Sequence, residues 1–297
     1  MARTRSIIWI GIGMATVLAS CGGPQEIGDN ERETDTLRTT PHTEILSIGG
    51  RLFSVPSPAQ AALAMRSSGL QYNKDLLTPL GAADTTTGKV KEAPLLGMLG
   101  ADLSYSIVHQ DGQRALTTFQ AIERLGGRLE LTNAFDRQLM DHFRNNINNE
   151  DSLLRSSGKA FEAADRYLKN NDREDVSTLI LTGGWIQSMH LILADPAATQ
   201  DGTLMNRIGD QKATLDALIA LLSDTDQEQA TAPILRGMQD LRTEFDQVER
   251  TYIYESPVTD PARRTTFINS RSSVEVPAER IQAIRSKVAN VRNIILS

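Results

Sequence analysis

The side chains best suited to chemistry lie in one short segment, Gly100-Ala101-Asp102-Leu103-Ser104-Tyr105. If this segment is helical, Asp102, Tyr105 and His109 line one flank of the helix, because residues three or four apart face the same side. A carboxylate beside an apolar stripe could act as a general base or could contact a ligand. The alternative is structural: a buried Asp102 would hydrogen-bond to a neighbouring helix or pair with an arginine, as buried polar groups do in most proteins.

A second unusual segment is Gly183-Gly184-Trp185-Ile186, which lies inside a stretch predicted to be helical. Two glycines in a helix interior cost roughly 1 kcal/mol each relative to alanine, so another interaction must offset them. Close approach of a second helix is the simplest explanation. The alternative is a ligand that lies against the bare backbone, with Trp185 as one wall of a pocket beside Asp102.

The two glycines point about 100° apart on a helix, so at most one of them is expected to face the tightest contact. We predict that this residue is Gly183, which shares one helix face with Val176, Ile180 and Gln187. Gly184 is expected on a more exposed face, where alanine would stabilise the helix slightly. The possible ligand-binding residues are therefore Asp102, Tyr105, Gly183 and Trp185.

No catalytic or cofactor motif is present in the sequence. It lacks the glycine-rich dinucleotide and phosphate loops, the His-Glu-x-x-His zinc motif, a calcium loop and the Gly-x-Ser-x-Gly nucleophile motif. None of the four histidines lies three or four residues from another, and none follows a Glu-x-x pattern; they are His42, His109, His142 and His190. The sequence therefore predicts no catalytic residue, no metal site and no cofactor.

The amino-terminal residues have the layout of a secretory signal peptide. Arg3 and Arg5 precede an apolar run of about 12 residues, which is too short for a membrane-spanning helix of roughly 20. The run ends in Leu18-Ala19-Ser20-Cys21, and Cys21 is the only cysteine in the chain. This ending resembles a bacterial lipobox, which implies cleavage before Cys21 and attachment of acyl chains such as palmitate there. The alternative is an ordinary signal peptide that releases a secreted protein.

Three regions follow from this interpretation: a signal peptide in residues 1–20, a lipid-anchored flexible tether in residues 21–55, and a helical domain in residues 56–297. Residues 22–44 are polar and acidic and have no periodic apolar positions, which is typical of a disordered segment. The anchor predicts a location in the cell envelope. Gly22 stands where an aspartate would resemble an inner-membrane retention signal, so the outer membrane is the favoured location, with either leaflet open.

The charge of the chain argues against nucleic acid as a partner. The net charge is −6, and residues 1–20 hold two arginines and no acidic residue, so their removal makes the chain more acidic still. An acidic protein repels phosphate backbones, and no run of lysine and arginine interleaves with aromatic residues here. We expect a membrane as a partner through the lipid anchor, together with a protein of the envelope.

From Pro56 onward the sequence predicts one helix after another. Three stripes with helical spacing are the strongest signals: Leu204, Ile208, Leu215, Leu218 and Leu222; Ile234, Met238, Leu241, Phe245, Val248 and Tyr252; and Ile281, Ile284, Val288, Val291 and Ile295. The first two are joined by a short polar link, which predicts an antiparallel hairpin. We predict an all-α fold, an irregular antiparallel helical bundle or helix array, with one short strand pair in residues 265–276 before the last helix.

Three segments carry a resemblance to a group of helical lipoproteins from Bacteroidota-type bacteria. They are residues 100–105, the segment Tyr167-Leu168-Lys169-Asn170-Asn171-Asp172, and Gly183-Gly184-Trp185-Ile186. The likeness covers roughly residues 55 to 295. It implies helicity and an envelope location, and it carries over no activity and no catalytic residue.

Three classes of function remain open on the sequence. The favoured class is a membrane-anchored envelope lipoprotein whose helical domain is a non-catalytic protein-interaction or scaffold domain. The second is a lipoprotein that binds a small ligand in a pocket near Trp185. The third is a hydrolase that uses carboxylates such as Asp102, although no motif arranges a nucleophile, a base and an orienting group. A broad exposed apolar patch would favour a protein partner, and a deep pocket at Trp185 would favour a ligand.

Overall fold

A computed structural model describes residues 44–48, 51–55, 57–132, 135, 137–199, 202–225 and 230–297. All of them belong to one compact unit, Thr39–Ser297. The described helices, in chain order, are α1 Pro58–Ser67, α2 Ala82–Thr85, α3 Lys89–Val108, α4 Gly112–Arg128, α5 Arg137–Asn145, α6 Glu150–Asn170, α7 Glu174–Ala194, α8 Gly202–Thr225, α9 Ala232–Phe245 and α10 Ala278–Leu296. The described strands are β1 Glu44–Ile48, β2 Arg51–Val55, β3 Glu249–Ile253, β4 Val258–Asp260, β5 Thr265–Phe267 and β6 Arg271–Glu275.

The predicted all-α architecture is confirmed. Helices make up most of the described residues, and the strands form three separate two-stranded antiparallel pairs, β1–β2, β3–β6 and β4–β5. The helices pack around α3 and α7, which share the most extensive contact in the fold.

Helices α3 and α7 form the centre because they are apolar on every side. In α3 each residue from Glu92 to Val108 is buried, and in α7 nearly every residue from Val176 to Leu193 is buried. A helix without a polar face belongs either in a protein core or in a membrane. Of the helices in the described residues, α7 alone is long and apolar enough to cross a bilayer, and 83% of that segment is buried inside the domain.

The peripheral helices bury one face each. The stripe predicted for the last helix is confirmed, because all five of its residues are buried in α10: Ile281, Ile284, Val288, Val291 and Ile295. Helices α8 and α9 pack against each other as the predicted hairpin, with Leu218 and Phe245 fully buried. These one-sided stripes position the core and leave the polar faces in solvent.

The predicted extension of the α9 stripe is wrong. Helix α9 ends at Phe245, and Tyr252 lies in β3 with 63% of its surface exposed. Residues 249–253, Glu-Arg-Thr-Tyr-Ile, favour a strand because β-branched and aromatic side chains fit a pleated backbone. Helical spacing of the apolar residues continued by coincidence past the end of the helix.

The strands before the last helix form a long antiparallel arm, which we call the β-arm (residues 249–275). Strand β3 pairs with β6 at its base, where Tyr252 lies opposite Ser272. Strand β4 pairs with β5 towards its tip, where Val258 lies opposite Phe267. The predicted strand pair in residues 265–276 therefore exists as two strands, β5 and β6, that pair with preceding strands and not with each other.

A β-hairpin lies inside the range predicted as a flexible tether, residues 21–55. Strands β1 and β2 pair antiparallel, with Glu44 opposite Val55 and Ile48 opposite Arg51. The sequences of the two strands, Glu-Ile-Leu-Ser-Ile and Arg-Leu-Phe-Ser-Val, are rich in residue types that favour strands. The division into a signal peptide, a tether and a helical domain stays a prediction. Cys21 and the predicted signal peptide lie outside the described residues.

Candidate functional site

Helices α3 and α7 touch through their backbones at the glycines. A Cβ atom on Gly183 would lie 1.8 Å from the carbonyl oxygen of Pro94, and a Cβ atom on Gly97 would lie 1.9 Å from the carbonyl oxygen of Ile180. Real Cβ atoms do not approach other heavy atoms so closely, so only glycine fits either position. The prediction that Gly183 faces the tightest contact is confirmed, and its partner is a helix.

Gly184 departs from the prediction. It is buried, and a Cβ atom there would lie 3.3 Å from the carbonyl oxygen of Gly97. Alanine at this position would need a small shift of α3, so the stabilisation expected for an exposed glycine does not apply. Trp185, the next residue, is also buried.

Asp102 is fully buried in the middle of α3. One carboxylate oxygen accepts a hydrogen bond of 2.7 Å from the backbone nitrogen of Thr78, and the other accepts one of 2.7 Å from Nε2 of Gln187 on α7. The structural alternative considered for this residue, a hydrogen bond to a neighbouring helix, is therefore what the structure shows. A general base must reach a substrate, and Asp102 has no exposed surface from which to do so.

The hydrogen bonds of Asp102 extend into a network. Gln187 also donates from Nε2 to the carbonyl oxygen of Leu76 at 3.1 Å, and its Oε1 accepts from Nε of Arg292 on α10 at 2.8 Å. Arg114 on α4 donates from Nη2 to the carbonyl oxygen of Thr78 at 2.6 Å. These hydrogen bonds hold the loop that follows α1 against four helices, α3, α4, α7 and α10.

Burial shifts the pKa values of an acidic and a basic side chain in this region in opposite directions. Burial raises the pKa of Asp102 to about 6, although the hydrogen bonds from Thr78 and Gln187 and the charge of Arg114 lower it in part. Burial also lowers the pKa of His190 to about 4, with the positive charges of Arg292 and Arg285 acting in the same direction. Both groups therefore resist ionisation in the folded protein.

Tyr105 lies on the same helix and stabilises the other end of that loop. Its hydroxyl donates to the carbonyl oxygen of Gln71 at 3.0 Å and accepts from the backbone nitrogen of Asn73 at 3.1 Å. Its ring contacts those of Tyr72 and His109, with centroids 5.2 and 4.6 Å away. Tyr105 therefore positions backbone, as Asp102 does.

Trp185 lines a cavity of about 120 Å³ between α1, α3, α6 and α7. Its indole Nε1 donates to Oε1 of Gln211 on α8 at 2.8 Å, which fixes the orientation of the ring. The cavity also contains Gly184, but Asp102, Tyr105 and Gly183 do not line it.

The prediction that Trp185 and Asp102 line the same pocket is therefore wrong. On α7, Gln187 follows Trp185 by two residues, so the two side chains point roughly 160° apart around the helix. Gln187 contacts Asp102, and Trp185 faces the cavity on the other side. The sequence could not place the cavity, because it depends on the small residues of α6, which carry no motif.

The β-arm exposes large apolar side chains to solvent. Ile268 is 80% exposed, Tyr254 is 67% exposed and Tyr252 is 63% exposed, and three more belong to the same arm: Ile253, Val258 and Phe267. At the base, Arg250 pairs with Asp210 of α8, and the backbone nitrogen of Val274 donates to Oδ1 of Asn206 at 2.8 Å. Sequence reasoning missed this surface because it assigned Tyr252 to a buried helical stripe.

The part of the chain that the structure describes contains no preformed metal site. No group of three or more histidine, cysteine, aspartate and glutamate side chains there is arranged to hold an ion. The two histidines that face the interior, His109 and His190, both have pKa values lowered by burial. Their environment is that of packed side chains.

Comparison of the chain with protein-family models, with curated proteins and with solved structures finds no match.

Proposed function

We propose that this chain is a membrane-anchored lipoprotein of the cell envelope, and that its helical domain binds another envelope protein through the β-arm. The observation that carries the proposal is the exposed apolar surface of that arm. Six large apolar side chains lie in one segment of about 27 residues that stands outside the helical core. Contiguous exposed apolar surface of this kind marks interaction sites in soluble domains.

The arrangement of the arm supports a protein partner. A two-stranded ribbon leaves both outer strand edges unpaired, and an extended partner segment can add to such an edge through backbone hydrogen bonds. Tyrosine and phenylalanine supply large contact areas at interfaces and are enriched there. Tyr252 and Ile253 are successive residues of β3, so their side chains lie on opposite faces of the arm, and both faces carry an apolar side chain.

The contacts of Asp102 and Tyr105 support a non-catalytic domain over a hydrolase. The Tyr105 hydroxyl and one oxygen of Asp102 bond the backbone of the loop that follows α1, within 3.1 Å of their partners, and the other oxygen of Asp102 accepts from Gln187. Neither lines the cavity beside Trp185. The enzyme alternative, with Asp102 as its carboxylate, therefore receives no support from the geometry.

The anchor is tested by replacing Cys21 with serine. We expect Cys21→Ser to leave the membrane fraction or to accumulate with its signal peptide uncut, because a serine hydroxyl offers no thiol for the lipid. Stable anchoring requires two or more lipid signals on physical grounds, so the mass of the amino-terminal peptide should show more than one acyl chain. An amino-terminal peptide without lipid would contradict the anchor.

The arm is tested by a triple variant, Tyr254→Ser, Phe267→Ser and Ile268→Ser. We expect this variant to lose proteins that are recovered with the wild-type chain after cross-linking in its own membrane. The helical circular dichroism and the thermal midpoint should stay unchanged, because the replaced side chains are exposed. Tyr167→Ser, an exposed aromatic residue on α6, is the matched control and should recover the same proteins as wild type. Identical recovery with all three proteins would contradict the proposal.

A further inference from the structure

The cavity beside Trp185 has a consistent construction. Each of three helices lines it with residues one helical turn apart, such as Gly97 and Gly100 on α3, Phe161 and Asp165 on α6, and Ile180 and Gly184 on α7. The start of α1 closes one end. Small residues make room, and the large side chains form the walls.

Most of the cavity wall is apolar, and Phe161 packs directly on α3, because a Cβ atom on Gly100 would lie 2.6 Å from its ring. Of the polar lining residues, Ser104 and Ser157 donate to carbonyl oxygens of their own helices. Asp165 and Ser177 bond to each other: Oδ1 of Asp165 accepts a hydrogen bond of 2.5 Å from Oγ of Ser177. Lys169 pairs with Oδ2 of the same carboxylate at 2.6 Å.

These features define the ligand that would fit. The one carboxylate of the lining is neutralised by Lys169, so no unbalanced charge is available for an ion. A comparable apolar cavity of about 150 Å³ in another protein admits benzene, so a cavity of about 120 Å³ holds an apolar group of roughly six carbon atoms. A hydroxyl at one end of that group would reach Asp165 or Ser177.

We propose that this cavity binds an uncharged ligand with an apolar chain or ring of about six carbon atoms and a hydroxyl at one end. The inference goes beyond the proposed function, since it gives the domain a second role, the recognition of a small molecule. It also stands independently of the β-arm, which contributes no residue to the cavity.

Trp185 provides the measurement. The chain has two tryptophans, Trp9 and Trp185, so the full chain with Trp9→Phe reports on the cavity alone. We expect 1-hexanol to change the Trp185 emission in a saturable way, with half-saturation at roughly millimolar concentration. From 1-butanol to 1-hexanol each added methylene should tighten binding about fourfold. 1-Decanol should bring no further gain, because the cavity is already full.

A plugged cavity and its matched control complete the test. Gly158→Leu places a side chain at the cavity, at an exposed helical position where a Cβ atom meets nothing within 4 Å. We expect it to weaken 1-hexanol binding by at least about tenfold. Gly127→Leu makes the same change at an equally open glycine of α4 that does not line the cavity, and it should bind as wild type does.

Two results would overturn the inference. One is an emission that does not saturate, or an affinity that keeps rising through 1-decanol, since both indicate non-specific partitioning. The other is an equal response of Gly158→Leu and Gly127→Leu.

Discussion

Gly183→Ala should destabilise the helical domain by at least about 4 kcal/mol, which is most of the unfolding free energy of a protein at the lower end of the usual range of about 5–15 kcal/mol. The new methyl group would lie 1.8 Å from the carbonyl oxygen of Pro94, and this atom belongs to the backbone of α3. No side chain can rotate to make room. The change is therefore relieved only by separating α3 from α7, which would disrupt the most extensive helix–helix contact of the fold.

The prediction is checked by urea unfolding followed through helical circular dichroism. Gly97→Ala should behave like Gly183→Ala, because its Cβ atom would meet the carbonyl oxygen of Ile180 at 1.9 Å. Gly127→Ala is the control: it lies on an open helical face and should stabilise by about 0.5–1 kcal/mol. A Gly183→Ala protein with a midpoint near that of wild type would show that the two helices are not in backbone contact.

Asp102→Asn and His190→Gln should change the pH dependence of stability in opposite directions. The folded pKa of Asp102 is raised to about 6 from 3.8, so the folded state binds a proton more tightly than the unfolded state, and stability falls as pH rises between those values. The folded pKa of His190 is lowered to about 4 from 6.5, so stability falls as pH drops through the same window. In the wild-type chain the two contributions largely cancel.

Each shift of about two pKa units corresponds to about 3 kcal/mol, somewhat less for His190 because it is partly exposed. We therefore expect Asp102→Asn to lose about 2–3 kcal/mol of unfolding free energy between pH 6.5 and pH 4, where wild type changes little. We expect His190→Gln to gain a similar amount over the same interval. Urea unfolding at pH 4, 5 and 6.5 measures both slopes. Parallel curves for the wild-type and Asp102→Asn proteins would contradict the assignment of a raised pKa to Asp102.

Helical periodicity carried most of the successful sequence predictions. The stripe of α10 and the packing of Leu218 against the α9 side of the hairpin follow from apolar residues at intervals of three and four, which depend only on the geometry of a single helix. The position of Gly183 followed from the same reasoning, since it shares a face with Gln187. Both residues are buried.

Predictions from local sequence were wrong where tertiary contacts determine the structure. Threonine, glycine and aspartate are frequent in residues 73–94, which predicts a loop up to Pro94, yet α3 begins at Lys89 and includes Pro94. Packing of α3 against α7 offsets the lost backbone hydrogen bond of the proline. The β-arm was missed because Tyr252 happens to fit a helical stripe, and the cavity was misplaced because empty space between helices has no sequence signature.

The Asp102 network has a consequence for the order in which the domain is completed during synthesis. Asp102, Gln187 and Arg292 belong to α3, α7 and α10, so the guanidinium of Arg292 leaves the ribosome almost two hundred residues after the carboxylate does. Until α10 arrives, α3 and α7 can associate only with Gln187 Oε1 lacking its donor. In the nascent chain the buried hydrogen-bond network around Asp102 therefore stays incomplete until the last helix packs.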